Sequence, residues 1–198
     1  MKLEIIQTAQ PKPKPQDETK LGFGRTFTDH MLTIKYHTDK GWYDAQIRPY
    51  ANFSLSPACS VLHYSQTIFE GLKAYHTPAG INLFRPWDNL KRMNASAKRL
   101  CMPELPEEFI LDALCELVRL ERGWIPRADG TSLYIRPTYI AVDPFIGVKE
   151  GDEYLFYIIL SPVGAYYASG LAPVDIYVED NYVRSVVGGT GAAKTGGN

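Results

Sequence analysis

The sequence has few cysteines, little net charge and no long hydrophobic run, and each shortage argues against a class of protein. Its three cysteines, Cys59, Cys101 and Cys115, lack C-x-x-C spacing, which fits reduced thiols rather than a disulfide framework or a zinc site. The 21 basic and 22 acidic side chains give no overall field to attract nucleic acid or an anionic membrane. We therefore expect a protein that binds small molecules and holds no metal.

The hydrophobic segments are all short. The longest apolar run, Leu155–Leu160, cannot span a bilayer, and the first residues lack the apolar core of a signal peptide. Apolar residues make up 45% of the 198 residues and charged residues 22%, which is typical of a globular protein. These features predict a cytoplasmic chain of one large or two small domains with no membrane segment.

Helical and strand patterns occur together and predict an α/β (α+β) fold. Residues 1–20 include Pro11-Lys12-Pro13-Lys14-Pro15 and predict an extended, flexible arm that is poorly ordered unless a partner holds it. A turn is expected over 37–44. Two helices are expected, one from a cap at Asp88 to Leu100 and one from Glu107 to about Arg122. The expected strands are Leu32–Tyr36, Ile81–Arg85, Ser132–Pro137, Tyr154–Pro162 and Val174–Val178.

Small residues near the end of the fourth of these strands suggest a domain boundary. The stretch 163–170 is rich in small residues and is interpreted as a hinge. The chain is therefore divided into an arm (1–20), a small α/β domain (21–163), a linker (164–172) and the start of a second domain (173–198).

The last eleven residues place one lysine, Lys194, among five glycines. The spacing nearly fits a phosphate-binding P-loop, but Ala193 replaces the second glycine and Gly196–Gly197 oppose the helix that should follow. A lysine that forms a Schiff base is the alternative, because such an amine needs apolar surroundings to be held uncharged. A solvated lysine in a linker is the commoner arrangement, and the residues alone leave both open.

Three further groups could carry chemistry. Arg92, Ser96 and Arg99 share one flank of the first predicted helix, where an arginine could reach an anion, although a solvated basic face is the commoner case. Tyr134 and Arg136 share one face of a strand and could bind a carboxylate or simply face water. His30 follows Asp29, but neighbouring strand residues point to opposite faces, so a structural role is predicted for His30.

Taken together, six ordered motifs resemble those of the branched-chain amino-acid aminotransferases, which are pyridoxal-phosphate enzymes of fold type IV. The resemblance covers about Gly22 to Asn198. It is carried by Phe23–Met31, His63–Ser65 with Phe69–Ala74, Leu83–Pro86, Tyr134–Pro137, Pro162–Tyr166 and Gly188–Asn198. The first two motifs are more like this family than like the D-amino-acid aminotransferases or aminodeoxychorismate lyases, which remain the alternatives, together with a non-catalytic domain.

The resemblance implies a role for each matching residue. Lys194 matches the lysine that holds pyridoxal 5'-phosphate as an internal aldimine and moves the proton between Cα and C4′. Arg92 matches the arginine that binds the cofactor phosphate, and Arg136 matches a residue that accommodates the side-chain carboxylate of glutamate. Substrate-pocket positions of the family match Phe23, Tyr64, Phe69, Tyr134, Val148 and Tyr166.

The resemblance also implies an architecture and a reaction. We expect a small N-terminal class IV aminotransferase domain, then the start of the larger cofactor-binding domain, in a homodimer where Tyr64 and the Val148 loop serve the partner's site. The expected reaction moves an amino group between leucine, isoleucine or valine and 2-oxoglutarate, with glutamate and 2-oxo acids as the other partners. The sequence stops at Asn198, before the family's cofactor-binding tyrosine and pyridine-binding glutamate, so these 198 residues are expected to be incomplete for activity.

Overall fold

Eight strands form one mixed sheet with two long helices packed against one of its faces. The computed structural model describes residues 1–164 and 172–198. The helices are α1 (Ser60–Tyr64), α2 (Pro86–Arg99) and α3 (Glu107–Leu120). The strands are β1 (Leu3–Ile5), β2 (His30–His37), β3 (Gly41–Pro49), β4 (Thr67–Phe69), β5 (Leu72–Thr77), β6 (Gly80–Leu83), β7 (Ser132–Ala141) and β8 (Glu153–Val163).

The strand order is β1-β3-β2-β8-β7-β5-β6, and β4 also pairs with β7. The β1–β3 pair is parallel and the other pairs are antiparallel. The long apolar strand β8 lies between β2 and β7, as its near-continuous hydrophobic sequence predicts. The α/β class expected from the sequence is therefore confirmed.

The core lies on the helix face, which we define as the side of the sheet covered by α2 and α3. Both helices are amphipathic, and their apolar stripes pack onto inward-pointing residues of the strands. Leu90, Met93 and Ala97 of α2 are buried, as the helical spacing predicts. Burying each large apolar side chain contributes about 1.5–3 kcal/mol before entropy is counted, so this face supplies most of the stability. The opposite side of the sheet is called the open face.

The N-terminal arm is bound along the domain, although its composition predicts poor order. β1 pairs with β3, the main-chain N–H of Thr8 donates to His30 Nε2 (2.9 Å), and that of Lys12 donates to Asp29 Oδ1 (2.7 Å). His30 Nδ1 is hydrogen-bonded to the buried carboxylate of Glu121. The arm was expected to be poorly ordered unless a partner holds it, and these contacts supply such partners. The structural role predicted for His30 agrees with its contacts.

Three other expectations need correction. The turn predicted over 37–44 is short, and β3 begins at Gly41, because Ala45 and Ile47 alternate into the core. α2 begins at Pro86, so Asp88 lies in its first turn, where it accepts a hydrogen bond from Arg85 instead of capping the helix. Residues 174–178 form no strand and are exposed, since no described strand pairs with them and an unpaired strand is not stable.

β7 and β8 are longer than expected. β7 continues through Pro137 to Ala141, because Pro137 lacks only a donor and its carbonyl still accepts from Glu70 N (2.9 Å). Among the described residues, no helix is long and apolar enough to cross a membrane. Tyr166 and most of the expected linker lie outside the described residues.

Candidate functional site

A short interruption between β4 and β5 contributes side chains to both faces of the sheet. Glu70 and Gly71 separate the two strands, yet the register with β7 continues across them. Because strand residues alternate, Phe69 and Gly71 project to the open face while Glu70 projects to the helix face. The candidate site is built around this interruption.

On the open face, four of the predicted site residues form a continuous aromatic and cationic cluster. The rings of Phe23 and Tyr134 are 4.9 Å apart, and Arg136 Nη2 donates to Tyr134 Oη (2.8 Å). The Arg136 guanidinium lies 4.9 Å from the ring centroid of Phe69. The structure thus confirms that Tyr134 and Arg136 share a face and adds Phe23 and Phe69 to it.

Gly71 leaves room for the Tyr134 hydroxyl. A Cβ atom at Gly71 would lie 2.3 Å from Tyr134 Oη, so any side chain there would displace the phenol. Arg136 Nε is buried without a hydrogen-bond partner among the described residues. A buried guanidinium nitrogen without an acceptor is costly, which marks this cluster as a place where an anionic ligand would be stabilised.

Lys194 lies beside the same cluster. Its amine is 4.5 Å from the ring centroid of Phe69, and no carboxylate in residues 1–164 or 172–198 lies within ion-pair distance of it. The backbone around Lys194 is fixed to the free edge of β4: Phe69 N donates to Lys194 O (3.1 Å), and Ile68 forms a bridge with Thr195. The lysine is therefore held in place by main-chain contacts.

Helix α2 holds the lysine segment from the other side. Lys194 N donates to Ser96 Oγ (2.9 Å), and Arg99 Nη2 donates to the carbonyls of Gly188 and Gly189 (3.2 Å each). Arg92 lies one helical turn before Ser96, which corresponds to about 6 Å along the helix surface. The flank singled out in the sequence thus contacts the lysine segment through Ser96 and Arg99, and Arg92 lies one helical turn away on the same flank.

Arg92 is bound to a buried carboxylate. Its Nε and Nη2 atoms donate to Glu70 Oε1 (2.6 Å) and Oε2 (2.7 Å), and this hydrogen-bonded pair raises the pKa of Arg92 above its ordinary value. Glu70 is 0% exposed, whereas 55% of the Arg92 side chain is exposed. The arginine therefore reaches inward with one edge and outward with the other.

An open cavity of about 510 Å³ lies beside this pair. It is bounded by Arg92 on one side and by Tyr134 on another, so it connects the arginine with the aromatic cluster of the open face. Its walls are completed by residues from the β4–β5 interruption, β5, the connection between β6 and α2, and α2: Gly71, Leu72, Lys73, Tyr75, Phe84, Arg85, Asp88 and Asn89.

Two predicted pocket residues do not join this cluster. The Tyr64 hydroxyl donates to the carbonyl of Ile146, and 46% of Tyr64 is exposed. Val148 is 89% exposed on the loop that follows β7. Leu62, Phe145 and Ile146, which are close to them in sequence, are also exposed. A role for them within this chain's own site has no support in the described residues.

Comparison with known proteins identifies the relatives of this chain. It is 52% identical over 199 residues to branched-chain-amino-acid aminotransferase 2 of Bacillus subtilis strain 168, a match covering 100% of this chain and 54% of the relative. The chain belongs to the branched-chain-amino-acid aminotransferase family. It spans about half the length of the curated relatives it matches. No family model matches it.

Solved structures of the family share the fold. The branched-chain aminotransferase of Escherichia coli matches with a TM-score of 0.60 at 22% identity, covering 86% of this chain and 52% of that enzyme. A T.th. branched-chain amino acid aminotransferase, solved with N-(5'-phosphopyridoxyl)-L-glutamate, matches with a TM-score of 0.51 at 27% identity, covering 65% of this chain and 40% of that one. The fold-type IV aminotransferase architecture expected from the motifs is thereby confirmed.

Glu70 was not predicted as a site residue, although it lies within the family motif Phe69–Ala74. A signal was available, because a period of two places Glu70 on the face opposite Phe69, where a carboxylate must find a partner. The pattern could not identify Arg92 as that partner, since the contact depends on how α2 crosses the β4–β5 interruption. Asn89, which also donates to Glu70 Oε2 (2.9 Å), was missed for the same reason.

Proposed function

We propose that the protein containing this chain is an aminotransferase that moves amino groups between leucine, isoleucine or valine and 2-oxoglutarate. It would do so through pyridoxal phosphate attached to the Lys194 amine as a Schiff base. The observation that carries the proposal is the position of Lys194. Its amine lies against Phe69 of the aromatic cluster, and its backbone is bound to the helix that also carries Arg92.

The residues present fit the cofactor. The Lys194 amine has no carboxylate partner among the described residues, and Arg92 offers its outward N–H groups to a phosphate beside the cavity. When bound, pyridoxal phosphate supplies an electron sink for the carbanion formed at the substrate Cα. Lys194 Nζ would take the α-proton of the substrate, and the neighbouring Phe69 ring would help to exclude water from this amine.

The open-face cluster accounts for two kinds of substrate. The rings of Phe23, Phe69 and Tyr134 offer an apolar surface to an aliphatic side chain. The partly exposed Arg136 guanidinium would bind the side-chain carboxylate of glutamate in the other half-reaction. When an aliphatic side chain enters, the bond to Tyr134 and the contact with Phe69 still partly satisfy the guanidinium.

The exposure of several apolar side chains near Tyr64 and Val148 supports a homodimer. We propose that Tyr64 and the Val148 loop serve the substrate pocket of a second subunit, since exposed apolar residues of this kind are typical of an interface. Tyr166 is proposed as a further residue of the substrate pocket. The domain division at 164–172 and a cytoplasmic location are also proposed.

The cofactor assignment is tested with full-length protein and two lysine variants. Wild type and Lys98→Ala, which changes an exposed lysine on α2, should turn yellow with pyridoxal phosphate and retain a covalent adduct after borohydride reduction. Lys194→Ala should give no reduced adduct. An unchanged adduct in Lys194→Ala, or a colourless wild type without transaminase activity, would reject the proposal and favour a non-catalytic domain.

A substrate panel tests the reaction. Leucine, isoleucine and valine should each transfer an amino group to 2-oxoglutarate, and D-alanine should not. Turnover of D-amino acids or of aminodeoxychorismate instead would keep the cofactor assignment and replace the substrate assignment.

A further inference from the structure

Glu70 is the most enclosed charged group beside the cavity, and its four hydrogen bonds account for both carboxylate oxygens. Arg92 Nε donates to Oε1, and Arg92 Nη2, Asn89 Nδ2 (2.9 Å) and Gly71 N (3.2 Å) donate to Oε2. The residue is 0% exposed. A carboxylate with this many donors is held in one orientation, and it therefore also restricts the orientation of the Arg92 guanidinium bound to it.

The bidentate contact uses only one edge of the Arg92 guanidinium. Glu70 takes the edge formed by Nε and Nη2, which leaves the edge formed by Nη1 and Nη2 facing outward. In the part of the chain that the structure describes, Nη1 has no acceptor within hydrogen-bond distance. Since Arg92 also lines the cavity, the outward edge is presented to any ligand held there.

A purely structural role explains this arrangement poorly. A buried ion pair gives little net stability, because removing both charges from water offsets their attraction, and apolar residues of similar size do at least as well. An exposed arginine, by contrast, loses much side-chain entropy when a ligand fixes it. Fixing the guanidinium in advance lowers that cost and strengthens binding of a doubly charged oxyanion.

We propose that Glu70 is a positioning residue that fixes Arg92 for the phosphate monoester of the cofactor. The inference rests on the proposed function, because it assumes that the cavity receives pyridoxal phosphate. It also connects the two ends of the site, since Glu70 follows Phe69, whose ring contacts the Lys194 amine. One short segment would therefore fix both the arginine and the surroundings of the lysine.

The test compares binding of pyridoxal phosphate with binding of unphosphorylated pyridoxal by full-length protein, followed by absorbance. The dissociation constant for pyridoxal divided by that for pyridoxal phosphate measures how strongly the phosphate is recognised. In Glu70→Gln this ratio should fall at least about fivefold relative to wild type, while the dissociation constant for pyridoxal stays within about twofold. If Glu70 had only a structural role, Glu70→Gln would weaken the binding of both ligands equally or would only lower the melting temperature of the protein.

A matched control is Glu121→Gln, which changes a second buried carboxylate, bound to His30 and remote from the cavity. It should leave the ratio unchanged. If Glu70→Gln does not fold, as judged by circular dichroism, Asn89→Ala removes one of the donors that hold Glu70 and should lower the ratio by a smaller factor.

An unchanged ratio in folded Glu70→Gln and in Asn89→Ala would overturn the positioning role while leaving the cofactor assignment intact. Failure of the wild type to form an adduct that depends on Lys194 would reject the proposed function instead. The two failures are therefore distinguishable in one set of titrations.

Discussion

The two faces of the sheet differ in what their residues contact. On the helix face, inward-pointing strand residues such as Phe156 and Ile158 are buried against α2 and α3. On the open face, Tyr134 contacts Phe23 and Arg136, Arg136 also contacts Phe69, and both Tyr134 and Arg136 stay partly exposed. Consecutive residues of one strand therefore point either into the core or to the open face, where a ligand site is proposed. Glu70 is the exception, a charged group placed on the helix face.

The comparison is tested most strongly by two neighbouring aromatic residues of β8. Phe156→Ala removes a fully buried ring from the helix face and should lower the free energy of unfolding by about 3–5 kcal/mol. Tyr157→Ala removes a partly exposed ring, whose centroid lies 5.0 Å from that of Phe53, and should cost about 1 kcal/mol. Urea unfolding measures both, and equal losses would show that the two faces do not differ in this way.

Substitutions on the open face should instead change how well substrates are bound and turned over. Arg136→Met keeps much of the side-chain volume but removes the charge, and it should reduce kcat/KM for glutamate about 10–100-fold, with a smaller change for leucine. Arg48→Met, at the far side of the same face on β3, serves as the control and should affect neither substrate. Equal losses for glutamate and leucine would contradict a carboxylate-binding role for Arg136.

The contact between α2 and the lysine segment should be of intermediate strength. Ser96 is 1% exposed, so Ser96→Ala leaves the main-chain N–H of Lys194 without its acceptor, at a cost of about 1–2 kcal/mol. Hydrogen exchange of the Lys194 amide should accelerate about tenfold, the factor that corresponds to a free-energy cost of this size. Ser60→Ala is the matched control, because Ser60 Oγ is buried without a partner among the described residues, and it should leave that exchange rate unchanged.

The smallest expected effect is the contribution of Glu121 to the pH dependence of the protein's stability. Burial raises the pKa of Glu121 above its ordinary value of 4.5, in spite of the hydrogen bond from His30. The folded state therefore keeps this proton to a higher pH than the unfolded state, and its contribution to stability is full below pH 4.5 and is lost as pH rises through the folded-state pKa.

Replacing that carboxyl should remove this part of the pH dependence. Relative to Glu121→Gln, the wild type should lose stability as pH rises above 4.5, by less than about 1.4 kcal/mol per pH unit. Urea unfolding at several pH values measures the difference. Glu108→Gln, on the exposed side of α3, is the control. If the difference in free energy of unfolding between wild type and Glu121→Gln did not change with pH, the raised pKa of Glu121 would be contradicted.

Periodicity predicted the helix face well, since α2, α3, β2 and β8 follow directly from their apolar spacing. It predicted less where a partner decides the structure. Residues 174–178 have the alternation of a strand but no described strand to pair with, whereas the proline-rich arm found partners in β3, Asp29 and His30.

The candidate site was predicted mainly through motifs. Lys194, Arg92, Phe23, Phe69, Tyr134 and Arg136 lie together at the β4–β5 interruption, but their roles remain proposals. Spacing alone could not show that Ser96 and Arg99 bind the lysine segment, or that Glu70 binds Arg92. Those contacts join residues that are 98, 89 and 22 positions apart, and only the packing of α2 brings them together.

The bridge between Ile68 and Thr195 has a consequence for how the protein is made. The sheet needs only residues up to Val163, so it can form while the lysine segment is still being synthesised. The Lys194 segment can then add to the free edge of a strand that is already paired with β7. If Lys194 binds the cofactor as proposed, newly made chains should pass through a stage in which the domain is folded but colourless.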